Sequence, residues 1–168
     1  MTIDPAIQLA ATVGRLLKAK GENLVTAESC TGGGVAEAIT AVPGSSEWFD
    51  RGFITYSNEA KQQMLKVSAE TLARHGAVSE NPAREMALGA LAASPGTVSV
   101  SVTGVAGPTG GSPAKPVGMV CFAWARSGEA VPRSETRHFS GDRESVRRRS
   151  VVRALQGIVE LLDDGAGA

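Results

Sequence analysis

The sequence predicts an α/β sandwich around a mixed sheet, and three features carry that prediction. Segments with helical spacing of apolar residues alternate with short β-branched runs through the first half of the chain. Two further strand-like runs then follow each other with no helical segment between them, as a hairpin requires, and a long amphipathic segment closes the chain. At 168 residues, 42% hydrophobic and 20% charged, the chain is expected to form a single domain over residues 1–168 with a substantial core.

The elements can be justified in order. Asp4-Pro5 is a helix start, an N-cap followed by proline, and Leu9, Val13 and Leu16/Leu17 form a stripe that Gly21 stops. "NLVTA" is a short buried strand, and Val35 and Ile39 in "VAEAIT" are spaced for one helical face. "VPGSSEW" is turn chemistry, "FDRGFITYS" a strand, and "NEAKQQMLKV" (58–67) a helix capped by Ser57 or Asn58. "AETLARHG" is a short helix ending at Gly76, and Asn81-Pro82 opens the next one. "TVSVSVTG" alternates as a strand (97–104), and "PVGMVCFAWAR" and "RSETRHFS" are two more strands. The last helix starts after Asp142 and lines up Val151, Leu155, Ile158 and Leu162. Residues 165–168, "GAGA", are expected to fray.

Composition narrows the function classes. Seventeen basic and seventeen acidic residues balance, so no global field favours nucleic acid or an anionic membrane. The N-terminus lacks the pattern of a signal peptide, and no run approaches the ~18 apolar residues of a membrane span. Cys30 and Cys121 cannot build a disulfide framework, which fits a reducing cytoplasm. With only His75 and His138 and no close cysteine pair, no metal and no cofactor is expected.

Four stretches could carry chemistry. In "AESCTGGGVAEAI" a serine and a cysteine precede three glycines at a helix start, which makes either an anion- or oxyanion-binding corner or a tight strand–helix connection. "SVTGVAGPTGGSPAKPVGMV" has glycines at 104, 107 and 110, so its backbone can approach a ligand closely. It matches neither a Walker A loop nor a dinucleotide fingerprint. In "TYSNEAK", Lys61 enters a helix against its dipole. In a pocket, burial and positive neighbours lower a lysine's pKa and make it a general base. In "SGDRESVRRRSVVR", Arg143 and Arg147 lie one turn apart and could clamp a phosphate, whereas Arg148 and Arg149 point to solvent.

"AESCTGG", "VPGSS", "TYSNEAK", "GAVSE", "TGVAGPTGG…KPVG" and "GDR", in this order, resemble the CinA C-terminal domain family. Its stand-alone members are nicotinamide mononucleotide deamidases. The resemblance implies a three-layer α/β/α fold, no metal, and functional positions at Ser29, Ser46, Tyr56, Lys61, Thr103 and Arg143. It implies conversion of nicotinamide mononucleotide and water to nicotinic acid mononucleotide and ammonia. In that reading Ser29 attacks the carboxamide and Lys61 takes its proton, directly or through Ser46. Tyr56 donates a hydrogen bond to Lys61 or protonates the leaving ammonia. The amides of the Thr31–Gly34 turn, with Gly32 and Gly33, hold the oxyanion. Arg143 and the loop Thr103, Gly104, Ala106 and Gly107 hold the ribose phosphate, and Asn58 joins the substrate-binding residues. Cys30 is the rival nucleophile, without a histidine partner suggested by its context. Rival functions are a non-catalytic pyridine-nucleotide-binding module and a nucleic-acid accessory protein. The expected partner is the small-molecule substrate, with no nucleic acid and no membrane, and assembly into a homo-oligomer stays open.

Overall fold

The computed structural model describes residues 3–163, so the tail at 165–168 lies outside the described residues. In chain order the elements are α1 (Pro5–Lys20), β1 (Leu24–Glu28), α2 (Gly34–Thr40), a 3₁₀ turn (Ser45–Glu47), β2 (Phe49–Ile54), α3 (Asn58–Leu65), α4 (Ala69–His75), α5 (Glu80–Ala92), β3 (Val98–Gly104), β4 (Met119–Arg126), β5 (Arg133–His138) and α6 (Arg143–Asp163). The strands form one sheet in the order β2-β1-β3-β4-β5. The first three are parallel, and β4 and β5 add as antiparallel neighbours. Helices α1, α2 and α6 pack together over one face, while α3, α4 and α5 cover the other. This is the three-layer α/β/α sandwich with a mixed sheet.

Local chemistry sets the boundaries. The Asp4 carboxylate accepts from the Ala6 amide at 2.9 Å, and Gly21 in the left-handed region (φ 64°) ends α1. Ser57 caps α3 through the Ala60 amide at 3.0 Å. That helix stops at Leu65 instead of running to Val67, because Lys66 turns left-handed (φ 59°) and Val67 donates back to the Lys61 carbonyl at 3.1 Å. The Asp142 carboxylate accepts from the Ser145 amide at 2.9 Å and opens α6. The four apolar residues expected on that helix are all buried.

β3 is buried on both faces up to Thr103. Its serines survive burial because α5 offers carbonyls: Ser99 donates to Ala87 at 2.8 Å and Ser101 to Ala83 at 2.6 Å. The larger core cluster lies under α1, α2 and α6 and includes Leu17, Leu24, Phe122, Trp124, Leu155 and Ile158. With β1 in the centre of the parallel strands, β2 on one side and β3 on the other, the strand order reverses there. Open sheets hold ligands at the C-terminal ends of such strands.

Candidate active site

Strand alternation assigns the side chains of β1 to opposite layers. Leu24 packs into the α1/α2/α6 cluster, whereas Val25 and Ala27 pack toward α3 and α5. The same parity sends Ser29, just past the strand, toward α3. There the Lys61 Nζ lies 2.9 Å from Ser29 Oγ and 2.9 Å from the Thr55 carbonyl oxygen. Lys61 is only 1% exposed, and burial lowers its pKa from the ordinary 10.5. Among the described residues no carboxylate pairs with it, and the nearby Cys30 opposes the effect of burial without outweighing it. A neutral Lys61 amine can donate to Thr55 and still offer its lone pair to the Ser29 hydroxyl. That is the arrangement of a nucleophile with its base.

Ser29 opens into a cleft of about 280 Å³ above the sheet. Its walls are Cys30, Tyr56, Val78 and the loop after β3, including Gly104, Val105, Ala106, Gly107, Thr109 and Gly110, with Arg143 at the rim. Arg143 donates to the Gly107 carbonyl at 2.7 Å and to the Tyr56 hydroxyl at 3.1 Å, which ties β2, the loop and α6 together. Gly107 has φ 81°, and a Cβ there would stand 2.4 Å from Val117 Cγ1, so the loop closes this tightly only with glycine. The guanidinium brings positive charge to a wall otherwise made of small and hydroxyl-bearing groups.

Several sequence-predicted residues sit elsewhere. Ser46 is exposed on the 3₁₀ turn before β2. Leu24, at the start of β1, pairs with Phe49, so Ser46 lies at the N-terminal end of the strands while Ser29 follows the C-terminal end. Roughly 16 Å of strand separates them at ~3.3 Å per residue, so within this chain Ser46 cannot relay a proton to Lys61. Asn58 is exposed at the start of α3, its carbonyl accepting from Gln62 at 3.3 Å, and does not line the cleft. Thr103 is buried and donates to the Ala77 carbonyl at 3.0 Å, a structural bond. Tyr56 does reach the cleft, but its hydroxyl is engaged by Arg143 rather than by Lys61.

The glycine turn also has a different role from the one expected. The Gly32 amide donates to Ser29 O and the Gly34 amide to Thr31 O, both at 3.0 Å. The next two, Val35 and Ala36, donate to the Glu28 carboxylate. Thr31 and Gly34 line a separate cleft between α1, α2 and α6, on the far side of the turn. Of the Thr31–Gly34 amides expected to hold an oxyanion, those of Gly32 and Gly34 are thus already engaged, and Thr31, Gly32 and Gly33 do not line the Ser29 cleft. The expected Arg143–Arg147 clamp is parted as well. Arg147 donates instead to the carbonyls of Cys30 and Thr31, both at 3.2 Å, bracing the turn from α6. Glu28 was missed in the sequence because nothing there tells which way a strand-terminal carboxylate points.

Cys30, the rival nucleophile, is 6% exposed and its thiol is pushed up to about 12. Burial is the main cause. The Glu28 carboxylate adds to it, while its own backbone amide, Lys61 and Arg147 pull the other way. A thiol with that pKa holds almost no thiolate near neutral pH.

Fold and site together define an α/β enzyme with a buried serine–lysine pair at the C-terminal ends of parallel strands. The chain belongs to the CinA C-terminal domain family, whose model matches residues 6–162. It is 57% identical over 157 residues to the nicotinamide-nucleotide amidohydrolase PncC of Escherichia coli K12, covering 93% of this chain and 94% of that protein. It is 50% identical over 159 residues to the protein of that name from Pseudomonas putida, covering 95% and 98%. Among solved structures, the competence/damage inducible protein CihA from Agrobacterium tumefaciens superposes with a TM-score of 0.89 at 43% identity, covering 96% of this chain and 99% of that one.

Proposed function

We propose that this chain is a nicotinamide-nucleotide amidohydrolase that converts nicotinamide mononucleotide and water to nicotinic acid mononucleotide and ammonia through a Ser29–Lys61 pair. The observation that carries the mechanism is the 2.9 Å contact between Lys61 Nζ and Ser29 Oγ, made by a lysine depressed by burial. Ser29 Oγ attacks the carboxamide carbon as the neutral Lys61 amine takes the hydroxyl proton. The tetrahedral adduct collapses as Lys61 returns that proton to the departing nitrogen, which leaves as ammonia. Water then adds to the Ser29 ester with Lys61 again as base. The acid is released and the serine hydroxyl restored.

The oxyanion faces the newly protonated Lys61 and the loop after β3. Ala106 and Gly107 lie beyond the last ladder bond, from the Val105 amide to Met119 O at 2.8 Å, so their amides are not consumed by the sheet. Arg143 at the rim takes the phosphate with its outer N–H groups. Tyr56 orients that guanidinium. Two free, buried cysteines suit a reducing compartment, and we place the protein in the cytoplasm.

Ammonia release from nicotinamide mononucleotide by the purified protein tests the activity. Ser29→Ala should bind the mononucleotide, in calorimetry, without turning it over. Binding by the native protein with no ammonia released would point instead to a nucleotide-binding module.

A further inference from the structure

The residue before the nucleophile is a glutamate with no solvent contact to explain it. Glu28 is 1% exposed at the end of β1. Its carboxylate accepts three hydrogen bonds, from Thr31 Oγ1 at 2.6 Å, the Val35 amide at 2.9 Å and the Ala36 amide at 3.1 Å. Gly33, the N-cap residue of α2, offers no side-chain acceptor, so Glu28 is the group that satisfies the Val35 and Ala36 amides of that helix.

The backbone of Glu28 is held independently. Its carbonyl accepts from the Thr55 amide at 2.8 Å, and the neighbouring Ser29 amide donates to Val102 O at 2.9 Å. With the strand fixed and Thr31 tied back to Glu28, the chain reverses within three residues, closed by the Gly32 amide on Ser29 O at 3.0 Å. Alternation points Glu28 into the α2 layer and Ser29 into the α3 layer. The carboxylate thus grips the turn from one side of the sheet, and the serine hydroxyl meets Lys61 on the other.

We infer that Glu28, acting through Thr31, is the positioning residue that holds Ser29 Oγ on Lys61. This rests on the serine–lysine reading above. A misplacement of the nucleophile by about 1 Å lowers turnover by about 100-fold without removing any catalytic group.

The test compares Thr31→Val, Thr31→Ser and Glu28→Gln with Ser29→Ala in ammonia release, with thermal melts confirming that each is folded at the assay temperature. Thr31→Val keeps the shape and deletes one hydroxyl. Glu28→Gln sets an amide N–H₂ against a backbone N–H. Both should lose about 10- to 100-fold in kcat with KM changed less than about threefold, and Thr31→Ser should recover most of the rate. Native kcat in Thr31→Val, a loss confined to KM, or a Thr31→Ser no better than valine would overturn the inference. If Glu28→Gln does not fold, the valine–serine pair decides alone. Full activity in Ser29→Ala would sink the serine–lysine reading itself. An inactive Ser29→Ala beside a fully active Thr31→Val would sink only the role of Glu28.

Discussion

Replacing Lys61 separates the chemistry from the packing, because the buried lysine side chain affects rate and stability in different ways. Methionine fills nearly the same volume, and arginine keeps the charge but has no lone pair to accept a proton. Either change removes the base from its place 2.9 Å from Ser29 Oγ. Loss of a general base lowers the rate by about 10²–10⁴, equivalent to about 2.7–5.4 kcal/mol on the barrier. Arginine is therefore expected to be as damaging as methionine, both measured as kcat for ammonia release.

Stability should respond to pH with a definite sign. Burial lowers the folded-state pKa of Lys61 below 10.5, while the unfolded chain keeps the ordinary value. Between those two values the unfolded state binds more protons, so native stability rises with pH. Methionine does not titrate. The stability of the native protein relative to Lys61→Met should thus increase between the depressed pKa and 10.5, by about 1.4 kcal/mol for each unit of depression. Denaturant titrations of both proteins from pH 7 to pH 10.5 read this difference, and other lysines cancel. The same ionisation should appear as a rise in the native rate with pH. An arginine variant with near-native turnover, or a stability difference flat across that range, would remove Lys61 from the chemistry.

Three other outcomes are expected. Arg143→Ala loses a charge-assisted contact worth about 1.5–3 kcal/mol, so KM should rise about 10- to 150-fold for the mononucleotide and far less for the phosphate-free riboside; equal losses on both would show that Arg143 does not read the phosphate. Cys30→Ala should keep most activity, and the native thiol, at about 12, should resist iodoacetamide at pH 8; rapid labelling accompanied by inactivation would reopen the cysteine as nucleophile. Gly157→Ala would place a Cβ 2.0 Å from Trp124 Cε2, a ring already fixed by its hydrogen bond to Ala154 O at 2.9 Å. Overpacking of this kind should lower stability by about 1–3 kcal/mol and Tm by about 2–12 °C, checked by a thermal melt.

Those expectations draw unequally on the sequence. Helix boundaries were legible wherever a short-range signal sets them: Asp4-Pro5, Ser57 and Asp142 act on amides, and Gly21 on carbonyls, within four residues, so their order in the chain is their structure. The end of α3 was missed because Lys66 takes up a left-handed conformation that nothing in "MLKV" announces. The alternating serines of β3 carry no sign in the sequence of how deeply they sit. Only the carbonyls of α5, brought there by packing, make them buried.

The same division runs through the site. The sequence by itself supplied the chemical types: a serine before glycines, a lysine working against a helix dipole, a glycine loop and an arginine at a helix start. Those are local properties, and motif order carried the family with them. Tertiary structure decided which of them meet. Strand parity turned Ser29 toward Lys61 and Glu28 away from it, across a sheet only one residue thick. Parallel register put Ser46 at the far end of the strands, and the approach of α6 gave Arg143 to the loop and Arg147 to the turn. The depression of Lys61 belongs to that second level as well, since a pKa set by burial exists only once α3 has closed over β1 and excluded water from the amine.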